Sequence, residues 1–150
     1  MSAIVERIAV DQRSALKAGD KMRLSTLRLA LSDLKNRRIE LGRDLTDEDA
    51  LEVLTRAQKQ RREAEEQYRK GGRQELAERE AAEAAILQEY LPEPLDDSGL
   101  DRLIEAAIAA TGATDVKEMG KVMGRLMPEV RGRADGAVVS ARVKERLGGG

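Results

Sequence analysis

Glycine and basic residues concentrate in one stretch near the C-terminus, positions 119–136, which reads MGKVMGRLMPEVRGRADG. Gly120 and Gly124 are four residues apart, so on a helix they share one face and expose a strip of backbone. Glycine destabilises a helix interior by about 1 kcal/mol relative to alanine, so two of them need a compensating role. Two roles remain open, a tight crossing with another helix or close contact with a ligand.

Basic side chains accompany this glycine strip. Lys117, Lys121 and Arg125 recur every four residues, which predicts a basic row beside the strip on a helix. From position 119 to 150, seven basic and three acidic residues give a charge of +4, against −5 for the rest of the chain. A locally positive tail on a slightly acidic protein is a modest electrostatic feature of polyanion-binding proteins.

The loop after the predicted helix carries a second candidate site. Gly132 can adopt positive φ, and Asp135 can accept bonds from the first N–H groups of the next helix. Those N–H groups, with Arg131 and Arg133 beside them, would suit a phosphate. The alternative is a turn whose arginines are merely exposed to solvent.

A second charged stretch, 56–83, also has two interpretations. In the first, Lys59, Arg61 and Arg62 grip a nucleic acid. In the second, the stretch is a solvated helix face with i,i+4 pairs such as Glu65–Arg69. Six nearby acids would weaken any attraction for phosphate, so the pattern favours the solvated face.

Residue composition excludes several kinds of catalysis. The chain has no cysteine and no histidine, which removes thiol nucleophiles, histidine-based triads and ordinary zinc sites. No Walker-type loop or GxGxxG fingerprint is present. We therefore predict no catalytic site, no metal and no cofactor, although composition alone does not exclude Ser-Lys chemistry.

The elements that position these residues are all helical. Phenylalanine and tryptophan are absent, so leucine, alanine, isoleucine, valine and methionine must fill the core, a composition that favours helices. We predict an all-α protein with an N-terminal domain of about four helices, residues 1–93, and a small three-helix tail domain, residues 94–150. The predicted helices cover about 2–17, 20–41, 46–70, 73–90, 100–111 and 115–127, and a last one starts near 134.

Several helix ends are marked in the sequence. Asp20 is a predicted N-cap, and Thr46 with Asp49 predicts a capping box. Gly71 and the glycine after it should end the third helix, and Pro128 should end the sixth. The prolines of the segment 91–98 mark the domain junction, and the terminal glycines 148–150 should fray.

The expected location follows from what the first residues lack. They contain no apolar stretch of the kind found in signal peptides, and no apolar run approaches the roughly 20 residues of a membrane span. The absence of cysteine makes the chain indifferent to the redox state of its compartment. We expect a cytoplasmic protein with no membrane partner.

At the tail, the sequence resembles a known family. Met119-Gly-Lys-Val-Met123 and Gly132-Arg-Ala-Asp-Gly136 closely resemble the signature of the YqeY family, whose tail also ends the B subunit of the tRNA-dependent glutamyl/aspartyl amidotransferase. Blocks that resemble the family also follow in order through the N-terminal region. They are LTDED at 45–49, KQR at 59–61, GR at 72–73, LA at 76–77 and EYLP at 89–92.

The resemblance implies a helical domain followed by a three-helix, GatB/YqeY-type tail. In the amidotransferase that tail helps to hold the tRNA. The residues assigned here to an RNA-facing surface are Lys117, Gly120, Lys121, Gly124, Arg125, Arg131, Gly132, Arg133, Asp135 and Gly136. The family is often labelled as a carbon–nitrogen ligase with glutamine as the nitrogen donor. The large enzyme's catalytic parts have no counterpart in 150 residues, and kinship of fold does not transfer catalysis without the site.

Three hypotheses follow. The leading one is an accessory protein that binds tRNA, or at least structured RNA. The alternative is a protein-interaction module that docks on a partner in translation or tRNA metabolism through the helices 20–41 and 46–70. The third is a genuine enzyme of amide transfer.

Overall fold

The computed structural model describes residues 2–148, and every regular element in this range is a helix. The seven α-helices are α1 (Ala3–Ala18), α2 (Lys21–Leu41), α3 (Asp47–Lys70), α4 (Gln74–Gln88), α5 (Asp97–Thr111), α6 (Met119–Val130) and α7 (Gly136–Gly148). A 3₁₀ helix, Val116–Glu118, precedes α6. The predicted all-α class is therefore confirmed. Positions 149 and 150, part of the predicted frayed end, lie outside the described residues, and no described helix is long and apolar enough to cross a membrane.

The helices divide into two compact units, one ending at Pro92 and the other beginning at Glu93. The first unit holds α1 to α4, and the second holds the 3₁₀ helix with α5 to α7. Each unit has its own cluster of buried aliphatic side chains. The division falls in a segment whose prolines, at 92 and 94, have no backbone N–H to give a helix.

Leucine, isoleucine and alanine fill most of the core of the first unit, together with Tyr90. Ile8, Leu54 and Leu87 are each 0% exposed. On α1 the buried line passes through Ile8 and Ala15, seven residues apart. The helical spacing of the sequence predicts a face with Ile4, Val5, Ile8, Gln12 and Leu16. Leu16 is instead 54% exposed, because a helix turns about 100° per residue and Ala15 already occupies the buried position.

The core of the second unit fixes which side of α6 faces solvent. Val122 and Leu126, four residues apart on α6, are 0% exposed, as are Val139 and Val143 on α7. Positions two residues away from a buried line lie on the opposite side of a helix. The core therefore turns residue 124, between Val122 and Leu126, away from the rest of the unit.

The predicted capping box of α3 is present. The Thr46 hydroxyl accepts from the Asp49 N–H at 3.1 Å, and the Asp49 carboxylate accepts from the Thr46 N–H at 2.9 Å. Arg43 donates to the same carboxylate at 2.6 Å and lowers the pKa of Asp49 well below its usual range. The predicted cap of α2 is also confirmed, since Asp20 accepts from the Arg23 N–H at 3.1 Å.

One predicted helix end in the tail is wrong, and the starts of three helices are shifted, with α5 beginning at Asp97 rather than near 100. Pro128 does not end α6, which runs on to Val130, because the only bond it removes is the one to the carbonyl four residues earlier. The regular pattern then resumes, with the Arg131 N–H on the Met127 carbonyl at 2.9 Å. The start of α6 moves from 115 to Met119 because the 3₁₀ helix comes first, and α7 starts two residues later than expected, at Gly136.

Tyr90, which lies just after the end of α4, contacts side chains of α1 and α2. Its hydroxyl donates to Asp11 on α1 at 2.5 Å and accepts from Arg23 on α2 at 3.4 Å. The Arg7 guanidinium lies 4.6 Å from the ring centroid, within the range of a cation–π contact. Burial raises the pKa of the Tyr90 phenol above its ordinary value, so the hydroxyl keeps its proton.

Replacing Tyr90 by phenylalanine removes this hydroxyl and leaves the Asp11 carboxylate without its donor. We expect Tyr90→Phe to lower the free energy of unfolding by about 1–3 kcal/mol, the usual range for a hydrogen bond to a charged group. Urea unfolding followed by circular dichroism measures it. Tyr68→Phe is the control, because no hydrogen bond of the Tyr68 hydroxyl is present among residues 2–148. An equal effect of the two substitutions would contradict this role.

Asp49 makes the stability of α3 depend on pH. Its pKa is lower in the folded chain than in the unfolded one, so the stabilisation is present above about pH 4 and is lost as the pH falls below it. We expect Asp49→Asn to be less stable than the wild type at pH 7, and the difference to shrink between about pH 4 and pH 2. Urea midpoints at pH 7, 5 and 3 measure this. Asp33→Asn is the control because Asp33 has no ion pair or hydrogen bond in the described structure, and a difference independent of pH would count against the prediction.

Candidate nucleic-acid interface

The glycine strip of α6 lies open. A Cβ atom built on Gly120 or Gly124 would meet no atom within 4 Å. Of the two roles that the sequence left open, the tight helix crossing therefore has no partner helix among residues 2–148. Pro128 continues the strip one turn further and is exposed. Because proline has no N–H, it cannot bond the Gly124 carbonyl, which would otherwise accept from position 128.

Two basic side chains flank the strip. Lys121 and Arg125 are exposed, and neither pairs with an acidic side chain anywhere in residues 2–148. As i,i+4 neighbours on α6 they have Cβ atoms about 5–6 Å apart. Lys117 is exposed too, but it belongs to the 3₁₀ helix, whose shorter turn departs from the four-residue row. The predicted row of three basic residues is thus reduced to Lys121 and Arg125 on α6, since Lys117 lies on the preceding 3₁₀ helix.

The loop at the start of α7 has the predicted backbone. Gly132 has φ +76°, and the Asp135 carboxylate accepts from the Ala137 N–H at 2.9 Å. Gly136 is exposed, and a Cβ atom there would meet nothing within 4 Å. The carboxylate of Asp135 already occupies a donor that a phosphate would need, and it adds negative charge. This geometry favours the capped turn over a phosphate site at the helix start.

Arg133, one of the two arginines of the loop, is engaged within the second unit. Arg133 is half-buried and donates from Nε to the Glu93 carbonyl at 3.0 Å. Its own carbonyl accepts from the Leu95 N–H at 2.9 Å. Arg131 is also half-buried and has a partner in the structure. The predicted residues therefore separate into an exposed group on α6 and a loop in which Arg133 is held by backbone carbonyl and N–H groups of the same unit.

The second unit as a whole is not basic, and its unpaired positive charge lies on part of its surface. From Glu93 onward the sequence has nine basic and ten acidic residues, a net charge of −1, so the +4 depends on where counting starts. Arg142 on α7 binds Asp101 at 3.1 Å and Asp97 at 3.2 Å, and Arg146 pairs with an acid of α5, Glu105. These pairs neutralise α7. The unpaired Lys121 and Arg125 on α6 stand apart from them.

Two of the three basic residues of the possible nucleic-acid grip on α3, Arg61 and Arg62, pair with acids of the same unit. Arg61 has a side chain only 12% exposed, 3.5 Å from the Glu83 carboxylate on α4. The predicted Glu65–Arg69 pair is present at 2.9 Å, and Arg62 binds the same carboxylate at 3.2 Å. Lys59 also has a partner in the structure. The solvated-face interpretation is therefore favoured over a nucleic-acid grip.

Among the described residues 2–92, two cavities lie between helices of the first unit. One, of about 200 Å³, lies between α1, α2 and the loop before α3 and is lined by apolar residues such as Leu31 and Leu34 together with charged ones such as Arg38. The other, of about 430 Å³, lies between α2 and α3 and has charged walls. None of the ten predicted residues lines either cavity. The candidate site is an open surface, which suits a macromolecule better than a small ligand.

Two residues that contribute to the candidate surface or to the loop behind it were not predicted from the sequence as part of the site. Pro128 was assigned only as a helix end, although its i+4 spacing from Gly124 would have placed it on the strip. Glu93 was assigned to the N-terminal domain, yet its carbonyl is held by Arg133, 40 residues later. A hydrogen bond to a backbone carbonyl leaves no pattern in a single sequence.

Several fungal proteins are similar to this chain. A protein of Pyrenophora tritici-repentis named "Altered inheritance of mitochondria protein 41, mitochondrial" is 28% identical over 151 residues, which cover 98% of this chain and 82% of the relative. Its namesake in Lachancea thermotolerans is 37% identical over 89 residues, covering 58% of this chain and 47% of the relative. An uncharacterised protein of Schizosaccharomyces pombe is 33% identical over 93 residues, covering 62% of this chain and 73% of the relative. The match therefore spans less than half the length of the Lachancea relative.

The predicted cytoplasmic location is contradicted by these relatives. The names of the Pyrenophora and Lachancea proteins describe them as mitochondrial. The prediction depended on the absence of an apolar leader, and that absence does not exclude mitochondria, whose transit peptides are amphipathic and rich in arginine and serine.

The match to a whole family agrees with the resemblance carried by the two tail motifs and the N-terminal blocks. The sequence model of the Yqey-like proteins matches residues 5–147, which is nearly the whole chain. The chain belongs to the Yqey-like protein family.

Proposed function

We propose that this protein binds structured RNA, with tRNA as the leading candidate, through the exposed face of α6. The observation that carries the proposal is the pairing of two open helical glycines with two unpaired cations on one surface. Gly120 and Gly124 let another backbone approach closely, while Lys121 and Arg125 supply the charge for phosphates. The resemblance of the tail to the tRNA-holding tail of the amidotransferase supports tRNA in particular.

The chemistry of the strip suits RNA more than DNA. Recognition of folded RNA depends on shape, phosphates and the ribose 2′-hydroxyl, which can donate as well as accept. The Gly124 carbonyl, which Pro128 cannot engage, is an acceptor on this exposed face. The second unit contains no aromatic residue, since Tyr68 and Tyr90 both precede it, so base stacking on aromatic rings has no support there.

Binding without catalysis agrees with the chemistry of the chain. The sequence has neither cysteine nor histidine, which removes thiol nucleophiles and histidine-based triads. In our proposal the carbon–nitrogen ligase label of the family describes the large enzyme rather than this protein. Glutamine-dependent amidation of misacylated tRNA by the purified chain would contradict this part of the proposal.

Docking on a protein partner through α2 and α3 has weaker support. Several charges of α3 are paired with one another or with α4, as at Arg61–Glu83 and Arg69–Glu65. The exposed apolar side chains of α2 include Met22, Leu29 and Ile39, which are spaced seven and ten residues apart. Apolar residues scattered in this way are normal on a protein surface.

The cations of α6 provide the first test. We expect Lys121→Glu with Arg125→Glu to weaken tRNA binding at least tenfold at low salt, since two attractive charges become repulsive. If each cation meets one phosphate, the slope of log K against log salt concentration should also fall by about 1.4–1.8. Fluorescence anisotropy with labelled tRNA across a salt series measures both.

The matched control for that test is Arg13→Glu with Lys17→Glu on α1. These residues have the same four-residue spacing, are exposed, and have no ion pair in residues 2–148. The control changes the net charge equally, so a general loss of attraction would affect both variants alike. Equal losses, or a wild type that does not bind tRNA at low salt, would overturn the proposal.

The glycines provide a second test, in which stability and binding should move in opposite directions. A Cβ at position 124 meets nothing, so Gly124→Ala should stabilise the protein by about 0.5–1 kcal/mol through helix propensity. The same methyl group should hold RNA away from the strip and weaken its binding. Thermal unfolding and anisotropy titrations measure the two effects.

Ala109→Gly, at an exposed position of α5, is the reverse control. It should lower stability by a similar amount and leave the affinity for tRNA unchanged. Unchanged affinity in Gly124→Ala would show that the open strip is not used.

A further inference from the structure

The segment through which the chain enters the second unit is fastened by a single residue of the loop before α7. The Leu95 N–H donates to the Arg133 carbonyl at 2.9 Å, and the Arg133 Nε donates to the Glu93 carbonyl at 3.0 Å. One residue thus holds both sides of Pro94. We call this pair of hydrogen bonds the clasp.

The sequence of the segment suits the clasp. Pro94 has no N–H to satisfy and fixes its own φ, and it restricts the residue before it, Glu93, to extended backbone. Leu95 packs against the buried cluster of the second unit. The segment therefore belongs to the fold of the second unit and is more than a spacer.

On its other side the clasp determines the shape of the loop. The Arg133 N–H donates to the Val130 carbonyl at 2.8 Å, directly at the end of α6. Gly132, with φ +76°, and the cap at Asp135 complete the turn into α7. Because Arg133 contacts the end of α6 and the entry segment at once, opening the clasp would loosen the loop that follows the exposed face.

We propose that Arg133 is a positioning residue which couples closure of the clasp to RNA binding, rather than a direct contact of the RNA phosphates. This inference rests on the proposed function. The half-buried Arg133 guanidinium already donates a hydrogen bond to the Glu93 carbonyl, whereas the side chains of Lys121 and Arg125 are exposed. By reciprocity of linked equilibria, RNA stabilises the closed clasp by the factor through which closure strengthens RNA binding.

The clasp can be followed through the hydrogen-exchange rate of the Leu95 amide, measured by NMR in the full chain. In Arg133→Gln and in Arg133→Lys we expect this amide to exchange about tenfold faster or more, because neither side chain reproduces the guanidinium on the Glu93 carbonyl. Added tRNA should slow its exchange in the wild type. Unchanged exchange in both variants would overturn the clasp, and unchanged exchange on adding tRNA would overturn the coupling.

The affinity for tRNA separates positioning from direct contact. Both Arg133 variants should weaken binding to a similar degree and leave the slope against salt unchanged. A phosphate contact would behave differently, since lysine would restore most of the affinity and glutamine would lower the slope by about 0.7–0.9. Either of those results would overturn the positioning role.

Pro94→Gly guards against a variant that simply misfolds. It loosens the entry segment without touching Arg133 or any charge, and it should speed Leu95 exchange and weaken tRNA binding at an unchanged salt slope. Circular dichroism checks that each variant stays helical. If the wild type binds no tRNA, the proposed function is wrong and so is the coupling of the clasp to RNA binding. Hydrogen exchange of the Leu95 amide in the Arg133 variants would still decide whether the clasp exists.

Discussion

The burial of short aliphatic side chains constrains the whole molecule. With no phenylalanine or tryptophan, each helix must bury a narrow line of leucine, isoleucine, valine or alanine, such as Ile8 with Ala15 on α1 or Val122 with Leu126 on α6. A narrow buried line leaves most of each helix surface to charged residues, and 37% of the chain is charged. How those charges are paired then decides which surfaces remain free for a ligand.

Most of the helices meet this constraint by pairing charges along or between themselves. Arg61 and Glu83, each with a side chain only 12% exposed, bridge α3 and α4. In the second unit Arg142 and Arg146 are neutralised by acids of α5. Unpaired cations also occur elsewhere, as at Arg13 and Lys17 on α1, so an unpaired cation alone does not indicate a site. The face of α6 differs because two open glycines lie beside its two unpaired cations, and this combination is the physical indication of a binding surface.

Local chemistry explains which parts of the fold could be predicted. The capping box at Thr46 and the left-handed glycine at 132 depend on neighbouring residues, and the sequence displays them. The failure at Pro128 is also local, since a proline near a helix end removes one bond and need not stop the helix. The exposure of Leu16 was not predicted, because the spacing of apolar residues does not decide which of two neighbouring residues, Ala15 or Leu16, is buried.

The candidate site was predictable in its residue types but not in how those residues divide. Spacing alone gave Lys121, Arg125 and Arg133 the same standing, as basic residues beside glycines. The structure separates them, because Arg133 reaches a backbone carbonyl 40 positions earlier while the other two point to solvent. Carbonyls are common to all residues, so no residue type at position 93 could have indicated the bond.

The same division gives the tail motifs two physical tasks. The motif at 119–123 begins the helix that presents the open surface, where glycine is used because it has no side chain and despite its weak helix propensity. The motif at 132–136 builds the turn, where glycine is used for its positive φ and aspartate for its cap. A ligand on α6 would therefore gain from both motifs, from one by contact and from the other through the stiffness of the turn behind it. The two would be expected to occur together, because an exposed recognition surface is only as well ordered as the segment that fixes its end.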